Sequence, residues 1–186
     1  MRNRKYKTIL ADPPWHIGQM RRSVRPQQKD MPYDTMSLEQ IKSLKVLGSD
    51  IERLADESAH LYLWTTHTWL PHAFDVVKAW GFTYHCVITW DKTYGFTPFS
   101  FMWSTEFCLF AQKKGHWLEP KKIGEKTLIR EKPVREHSRK PMAIYELIEK
   151  VSYPPYIELF ARPHSPLFPK REAWDVWGDE SAKGVL

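Results

Sequence analysis

The sequence predicts an α/β protein with an open, mostly parallel central sheet covered by helices. Short apolar runs typical of buried strands, such as residues 8–11 and 59–65, alternate with stretches of helical apolar spacing, such as residues 69–80. Strands that alternate with helices along a chain favour a parallel sheet. The sequence has no internal repeat, heptad array or low-complexity tract that would indicate another architecture.

The first predicted strand leads directly into a rigid polar motif. The apolar run at residues 8–11 must end at Asp12-Pro13-Pro14, because two prolines cannot continue a sheet ladder or a helix. Residues 16–35 are rich in Arg, Gln and Pro and lack periodicity, which predicts a long active-site loop.

The rest of the chain alternates between the same two patterns. Ser37 followed by Gln40 predicts a capping box that opens a short helix, with helical spacing continuing to about Asp56. The later elements are strands at 59–65, 83–90, 106–112, 156–161 and 174–177, a helix at 69–80 ended by Gly81, and a helix from Pro141 whose apolar face is Ile144, Leu147, Ile148 and Val151.

Length and composition indicate one globular domain over residues 1–186, with a frayed tail at 181–186. The chain has 42% hydrophobic and 27% charged residues, and it contains nine Trp. It contains neither the roughly 20 consecutive apolar residues that a membrane span needs nor an apolar leader, so we expect a cytoplasmic protein without a membrane partner. Cys86 and Cys108 lack metal-ligand spacing and are expected to be buried, reduced thiols.

The net charge of +6 is concentrated in one segment. Residues 113–140 hold ten Lys and Arg against four Glu, so this predicted basic loop (113–139, together with Lys140) carries the whole excess. A second cluster of Arg21, Arg22 and Arg25 lies in the 16–35 loop. Both segments suit contacts with nucleic-acid phosphates, although charge alone does not distinguish such contacts from a solvated surface loop.

The Asp12-Pro13-Pro14-Trp15 motif suggests a chemistry. Ligands of open α/β sheets bind outside the carboxyl ends of the strands, where this motif and Arg162-Pro163-His164 should emerge together. An amine on an aromatic ring is a poor nucleophile until two acceptors hold its N–H groups. The Asp12 carboxylate and a proline carbonyl could supply these acceptors, and Trp15 could stack on the base.

Seven sequence blocks together resemble the DPPW family of adenine N6-methyltransferases over nearly the whole chain. The blocks, in the family's order, are ADPPW (11–15), PYDTMS (32–37), LYLWTT (61–66), WDK (90–92), VREHSRKP (134–141), IELFARPH (157–164) and WDVWGDE (174–180). The resemblance implies a Rossmann-like, S-adenosylmethionine-dependent enzyme that methylates adenine N6 in nucleic acid, with S-adenosylhomocysteine as product and without a metal.

The resemblance also implies roles for individual residues. Asp12, Pro13, Pro14 and Trp15 would form the catalytic motif, with Asp12 close to the cofactor as well. The other cofactor-binding residues would be Lys140 (to the cofactor carboxylate), Glu158 and Arg162 (on the ribose side), His164, Asp179 and Glu180. Tyr33 would shape the adenine pocket, and the remaining substrate contacts are expected from Lys92, Arg135, Arg21, Arg22 and Arg25.

Several alternatives stay open at this point. The family often has an amide pair where this chain has Asp179-Glu180, which leaves the hydrogen bonding there less defined. DNA is the favoured substrate and RNA the closest competitor, while the protein is expected to be a monomer or homodimer. A non-catalytic nucleic-acid-binding subunit and a cytosine N4-methyltransferase are the other readings. The intact motif and Lys140 argue against the former, and Trp15 with the other blocks argues against the latter.

Overall fold

The fold is a seven-stranded sheet with helices on both faces. The computed structural model describes residues 4–16, 35–97, 100–134, 139–162 and 169–178. The strands in these ranges are β1 (Tyr6–Ala11), β2 (Lys45–Val46), β3 (Ser49–Asp50), β4 (Ala55–Thr65), β5 (Phe82–Phe96), β6 (Trp103–Lys113), β7 (Leu128–Arg130), β8 (Tyr156–Leu159) and β9 (Trp174–Trp177). The helices are α1 (Leu38–Lys42), α2 (Ile51–Leu54), α3 (Leu70–Ala79) and α4 (Met142–Val151).

The sheet order is β7-β5-β6-β4-β1-β8-β9, and β2 and β3 form a separate small hairpin. β1 pairs in parallel with β4 and β8, β8 with β9, and β5 with β7, whereas β6 is antiparallel to β4 and β5. The prediction of a mostly parallel α/β sheet is confirmed.

Six of the seven strands of the central sheet run in the same direction. β1, β4, β5, β7, β8 and β9 all run towards one edge of the sheet, which we call the carboxyl edge, and β6 begins there. After β1 the chain continues to β4 on one side, and after α4 it returns to β8 on the other side. The order therefore reverses at β1, and a crevice outside the carboxyl ends of β1 and β8 is expected at such a switch point.

Each face of the sheet buries its own hydrophobic cluster. Ile9 of β1 and Leu63 of β4 pack with α1, α2 and α3 on one face, whereas Leu10 and Trp64 pack towards α4 on the other. Neighbouring residues of a strand thus serve opposite clusters, as the twofold periodicity of a strand requires. The central strands β1 and β4 are therefore buried on both faces, which explains their continuous apolar runs.

The start of α1 and the end of α3 lie where the sequence predicted them, but the helical region predicted up to about Asp56 is wrong. Ser37 and Gln40 form the capping box of α1, and Gly81 follows α3 with a φ of +79°. The helical spacing between residues 37 and 56 is interrupted by the hairpin of β2 and β3, whose turn has positive φ at Leu47 and Gly48. β4 then begins at Ala55, before the predicted helix end.

Three other sequence predictions need correction. The basic segment contains a strand, β7, because residues 128–130 pair with residues 89–91 of β5. The strand predicted for 156–161 stops at Leu159, since Phe160 has a φ of +63° and leaves the sheet. Cys108 is buried as expected, but Cys86 is only partly buried. Within the described ranges, the helices are too short or too polar to span a lipid bilayer.

Candidate active site

A cleft opens at the carboxyl edge between β1, β8 and the start of α4. It carries carboxylates from Asp12 and Glu158 and cations from Lys140 and Arg162, so both signs of charge face one space. The remaining lining residues are Leu10, Trp64, Arg139, Met142, Tyr145, Phe160, Pro169, Arg171, Trp174 and Val176. The structure therefore brings together Asp12, Lys140, Glu158 and Arg162, four residues that the sequence placed in one site.

The Asp12-Pro13-Pro14-Trp15 motif is held by backbone hydrogen bonds on both sides. The Asp12 N–H donates to the Leu159 carbonyl of β8 at 3.4 Å, and the Trp15 N–H donates to the Pro13 carbonyl at 2.8 Å. The Met36 N–H donates to the Pro14 carbonyl at 2.8 Å. Each proline carbonyl thus accepts one bond from a described residue, and a carbonyl oxygen has a second lone pair that could accept another.

Trp15 is placed differently from the stacking prediction. Its side chain is buried, its indole N–H donates to the Trp64 carbonyl at 3.0 Å, and its ring stacks on Trp69 with centroids 5.6 Å apart. A ring with 5% exposure and one face covered by Trp69 offers little surface to a base. The contacts instead anchor the end of the motif to β4 and to the segment that follows it.

Four alternating charges form a network beside the motif, which we call the charge network: Asp12, Lys140, Glu106 and Lys92. The Lys140 Nζ lies 2.8 Å from Asp12 Oδ2 and 3.3 Å from Glu106 Oε2. The Lys92 Nζ lies 3.1 Å from Glu106 Oε1. Lys92, predicted as a substrate contact, is thus committed to Glu106. The network joins β1, β5, β6 and the approach to α4.

The network determines the protonation of its members. Burial raises the pKa of Asp12, and the Lys140 ammonium offsets this only in part. Burial alone would lower the pKa of Lys140, but the carboxylates of Asp12 and Glu106 outweigh it and raise the pKa above its usual value. Burial acts against the ionised form of Glu106 as well, yet Lys140 and Lys92 hold its pKa below the ordinary value. Lys140 is therefore a permanent cation between two carboxylates.

The start of α4 is already capped by a side chain of the protein. The Glu131 carboxylate accepts from the Met142 N–H at 3.0 Å and the Ala143 N–H at 3.3 Å. The Glu131 carbonyl accepts from the Trp90 indole at 2.7 Å. The negative charge of Glu131 thus lies at the N-terminus of this helix, where the helix dipole stabilises it. The cap fixes the chain that presents Lys140.

The second wall of the cleft is built around Glu158. Its Oε1 accepts from the Tyr145 hydroxyl at 2.9 Å, and the Arg171 guanidinium lies over the Tyr145 ring, 5.2 Å from the centroid. Arg171 and the Trp174 indole both donate to Glu149 Oε1 at 2.8 Å. Burial raises the pKa of Glu158 to about 7, against the effect of the Tyr145 hydrogen bond. Glu158 is therefore a carboxylate close to its titration point at neutral pH.

The structure divides the basic segment between the two ends of the sheet. β6 ends at Lys113 on the edge opposite the cleft, and Lys121 there donates to the Glu149 carbonyl near the end of α4. Lys132 follows β7 and so lies towards the carboxyl edge. Several cations of the segment also have partners within the protein, including Lys122 with Glu125 and Arg130 with Asp91. The segment is not one uniform basic loop.

Several predicted residues fall outside the described ranges. They are Arg21, Arg22, Arg25 and Tyr33, with most of the 16–35 loop, and Arg135, His164, Asp179, Glu180 and the 181–186 tail. Their roles stay predictions.

Sequence reasoning missed Glu106, Tyr145 and Arg171. Glu106 opens an apolar strand run, and a carboxylate at such a position calls for a cation partner, which was the available signal. Tyr145 lies one helical turn before Glu149 on α4, but a helical pattern does not indicate which strand residue it meets. Arg171 lies in a stretch without periodicity, where no signal was available.

The parallel sheet, with its charged cleft at the switch point, is that of a Rossmann-like methyltransferase. The family model of MT-A70 matches residues 6–180, and the chain belongs to that family. Its relatives include the type II methyltransferase M.MunI of Mycoplasma sp, which is 28% identical over 195 residues covering 95% of this chain and 78% of that protein.

Eukaryotic relatives match over a similar part of this chain. The human N(6)-adenosine-methyltransferase catalytic subunit METTL3 is 26% identical over 179 residues, which cover 87% of this chain and 26% of METTL3. A probable N(6)-adenosine-methyltransferase MT-A70-like protein of Oryza sativa is 29% identical over 170 residues, covering 87% of this chain and 21% of that protein. The chain thus spans most of M.MunI but only about a quarter of these eukaryotic proteins.

Proposed function

We propose that this chain transfers a methyl group from S-adenosylmethionine to N6 of adenine in nucleic acid, with DNA as the favoured substrate. The observation that carries the proposal is the position of Asp12. It follows β1 at the switch point, lines the cleft, and is held 2.8 Å from the Lys140 ammonium. Membership of the MT-A70 family supports the class of reaction.

The cleft suits the chemistry of the cofactor. S-adenosylmethionine has a carboxylate, an ammonium group and ribose hydroxyls, and when bound it supplies an electrophilic methyl group. Lys140 and Arg162 are cations suited to a carboxylate, and Asp12 and Glu158 are acceptors suited to an ammonium group or hydroxyls. Tyr145 occupies one oxygen of Glu158 and so orients the carboxylate.

Asp12 and its prolines would activate the amine by positioning. One Asp12 oxygen is held by Lys140, and the other can accept an N–H of the adenine amine. A proline carbonyl accepts the second N–H, which localises the nitrogen lone pair for attack on the methyl carbon. Methyl transfer would leave a positive charge on the nitrogen, and Asp12 or water would accept its proton. Burial, which raises the pKa of Asp12, favours that acceptance.

DNA is favoured because this chain matches the type II methyltransferase M.MunI over most of that protein's length, whereas it matches METTL3 over only about a quarter. RNA is the second candidate, because the eukaryotic relatives are named as adenosine methyltransferases. In a duplex, the adenine must leave the stack to reach the cleft, so flipped or single-stranded adenine is the expected substrate.

Product analysis tests the proposal. Purified protein is incubated with methyl-labelled S-adenosylmethionine and either DNA or RNA, and the nucleosides are identified by mass spectrometry. We expect N6-methyldeoxyadenosine. N6-methyladenosine from RNA alone would favour the second candidate, N4-methylcytosine would overturn the base assignment, and no product on either polymer would favour a non-catalytic binding subunit.

Affinity for S-adenosylhomocysteine is expected to depend on Glu158 ionisation. A ribose hydroxyl bound to the carboxylate stabilises its charged form, so the pKa falls below about 7 in the complex. Affinity is therefore highest above pH 7 and decreases as the pH drops through the free-protein value, by up to about tenfold per pH unit. Calorimetric titration across this range measures the profile. Glu158→Gln should flatten it, and an equally steep profile in that variant would contradict the assignment.

Contact with nucleic-acid phosphates is expected at the carboxyl edge rather than along the whole basic segment. Lys126 precedes β7 and Lys132 follows it, and both are exposed, so they form a matched pair at opposite ends of one strand. Lys132→Ala should reduce the slope of log affinity against log salt by about 1, whereas Lys126→Ala should leave it unchanged. Fluorescence anisotropy with a labelled oligonucleotide gives both slopes. Equal effects would show that the topology does not separate the two halves.

A further inference from the structure

The indole N–H of Trp64 is a buried donor that has no acceptor among the residues that the structure describes. Trp64 is the last but one residue of β4, its side chain has no solvent exposure, and it lines the cleft. Its Nε1 has no hydrogen-bond partner among the described residues. A buried donor without a partner loses its bonds to water and gains nothing in return, so proteins rarely leave one.

The other buried tryptophans show that this fold normally satisfies its indoles. Four of them donate to an acceptor within the protein, at 2.7 to 3.0 Å: Trp15 to the Trp64 carbonyl, Trp80 to the Ile41 carbonyl, Trp90 to the Glu131 carbonyl and Trp174 to the Glu149 carboxylate. The Trp69 Nε1 is also unpaired, but Trp69 does not line the cleft. Trp64 alone combines an unpaired indole with a place in the cleft wall, within the described part of the chain.

The surroundings of Trp64 indicate what kind of acceptor fits. The Lys140 Nζ lies over its ring, 5.4 Å from the centroid, so a cation and an unpaired N–H donor occupy the same part of the cleft. An N–H donor and a cation in the same wall of the cleft suit an anionic oxygen acceptor. Asp12 already accepts from Lys140 at 2.8 Å, so the Lys140 donor is directed to the catalytic corner of the cleft.

We propose that the Trp64 indole N–H donates a hydrogen bond to the carboxylate of the cofactor's amino-acid moiety, beside Lys140. This assignment rests on the proposed function, because it requires the methyl donor to occupy the cleft. Trp64 is thus a cofactor-binding residue within the LYLWTT block, a block to which the sequence analysis gave no role. It also accounts for a tryptophan at this position of β4, where an isosteric ring without the N–H would fill the same volume.

Binding of S-adenosylhomocysteine to Trp64→Phe tests the assignment. We expect affinity to fall about tenfold, the effect of losing one hydrogen bond to a charged group. Because a smaller ring also leaves a cavity, a second variant carries β-(3-benzothienyl)alanine at position 64, which keeps the ring volume and lacks the donor. Trp80→Phe is the matched control, since its indole donates to the Ile41 carbonyl on the other face of the sheet and its loss should not affect cofactor affinity.

An analogue of S-adenosylhomocysteine that lacks the carboxylate identifies the acceptor. Wild-type protein should bind this analogue more weakly than the parent compound, and the two Trp64 variants should bind it as well as wild type does. Variants that bind both ligands like wild type would overturn the proposal, and variants that weaken both ligands equally would overturn the carboxylate assignment. If wild-type protein binds neither ligand, the proposed function fails instead.

Discussion

Replacing Asp12 by alanine is expected to lower turnover by at least about 100-fold, the lower range for loss of a group that moves or holds a proton. Asp12 is the only charged residue of the DPPW motif, and its free oxygen is the acceptor assigned to the amine. Affinity for S-adenosylhomocysteine should change by only a few fold, because Lys140 keeps its second carboxylate, Glu106, at 3.3 Å. Single-turnover methylation and calorimetry measure the two effects separately.

Asp12→Asn should lose nearly as much activity as Asp12→Ala. The amide has one acceptor oxygen, and Lys140 already claims it, so the amine meets an NH₂ group instead of an acceptor. Asp91→Ala is the control, because Asp91 also accepts from a cation, Arg130, at 2.9 Å but does not line the cleft. Near wild-type turnover in either Asp12 variant would show that the amine is held by other groups.

The sequence predicted the parts of the site that depend on local pattern. The apolar run before Asp12 required a buried strand, and the two prolines required it to end there, so the catalytic corner was placed before any pairing was known. The helix that starts after Pro141 placed Lys140 at a helix start in the same way. The position of Arg162 followed from the strand that ends shortly before it, whereas the role of Glu158, which lies within that strand, was implied by the family resemblance.

Residues whose partners are distant in the chain could not be predicted in that way. Glu106 meets Lys140 only because β6 runs antiparallel between β4 and β5. This direction brings the first residues of β6 to the carboxyl edge. β7 exists because residues 128–130 return to pair with residues 89–91 of β5, and a three-residue edge strand has no apolar run that would predict it. Burial of Trp15 likewise depends on Trp69, which arrives after β4. Motif chemistry predicted stacking on a base, whereas tertiary packing uses this ring as an anchor.

Replacing Lys140 by methionine is expected to reduce the free energy of unfolding by about 3 kcal/mol at pH 7, within the range for breaking a buried ion pair from one side. The substitution leaves Asp12 and Glu106 as two neighbouring carboxylates in a site where the side chains are at most 28% exposed. Chemical denaturation monitored by tryptophan fluorescence measures the loss, and the cofactor affinity should fall in the same variant. Lys140→Arg, which keeps the charge, should retain most of the stability.

The pH dependence of this loss separates electrostatics from packing. Without Lys140, the pKa of Asp12 rises further in the folded state, so the folded protein takes up a proton more readily than the unfolded chain. Its stability relative to wild type should therefore recover as the pH falls from 7 towards 5. The double variant Lys140→Met/Glu106→Gln removes one of the two stranded carboxylates, and it should regain part of the stability at pH 7. A loss that is independent of pH and unaffected by Glu106→Gln would mean that Lys140 contributes through packing of its side chain against Trp64, and that the charge network does not stabilise the fold.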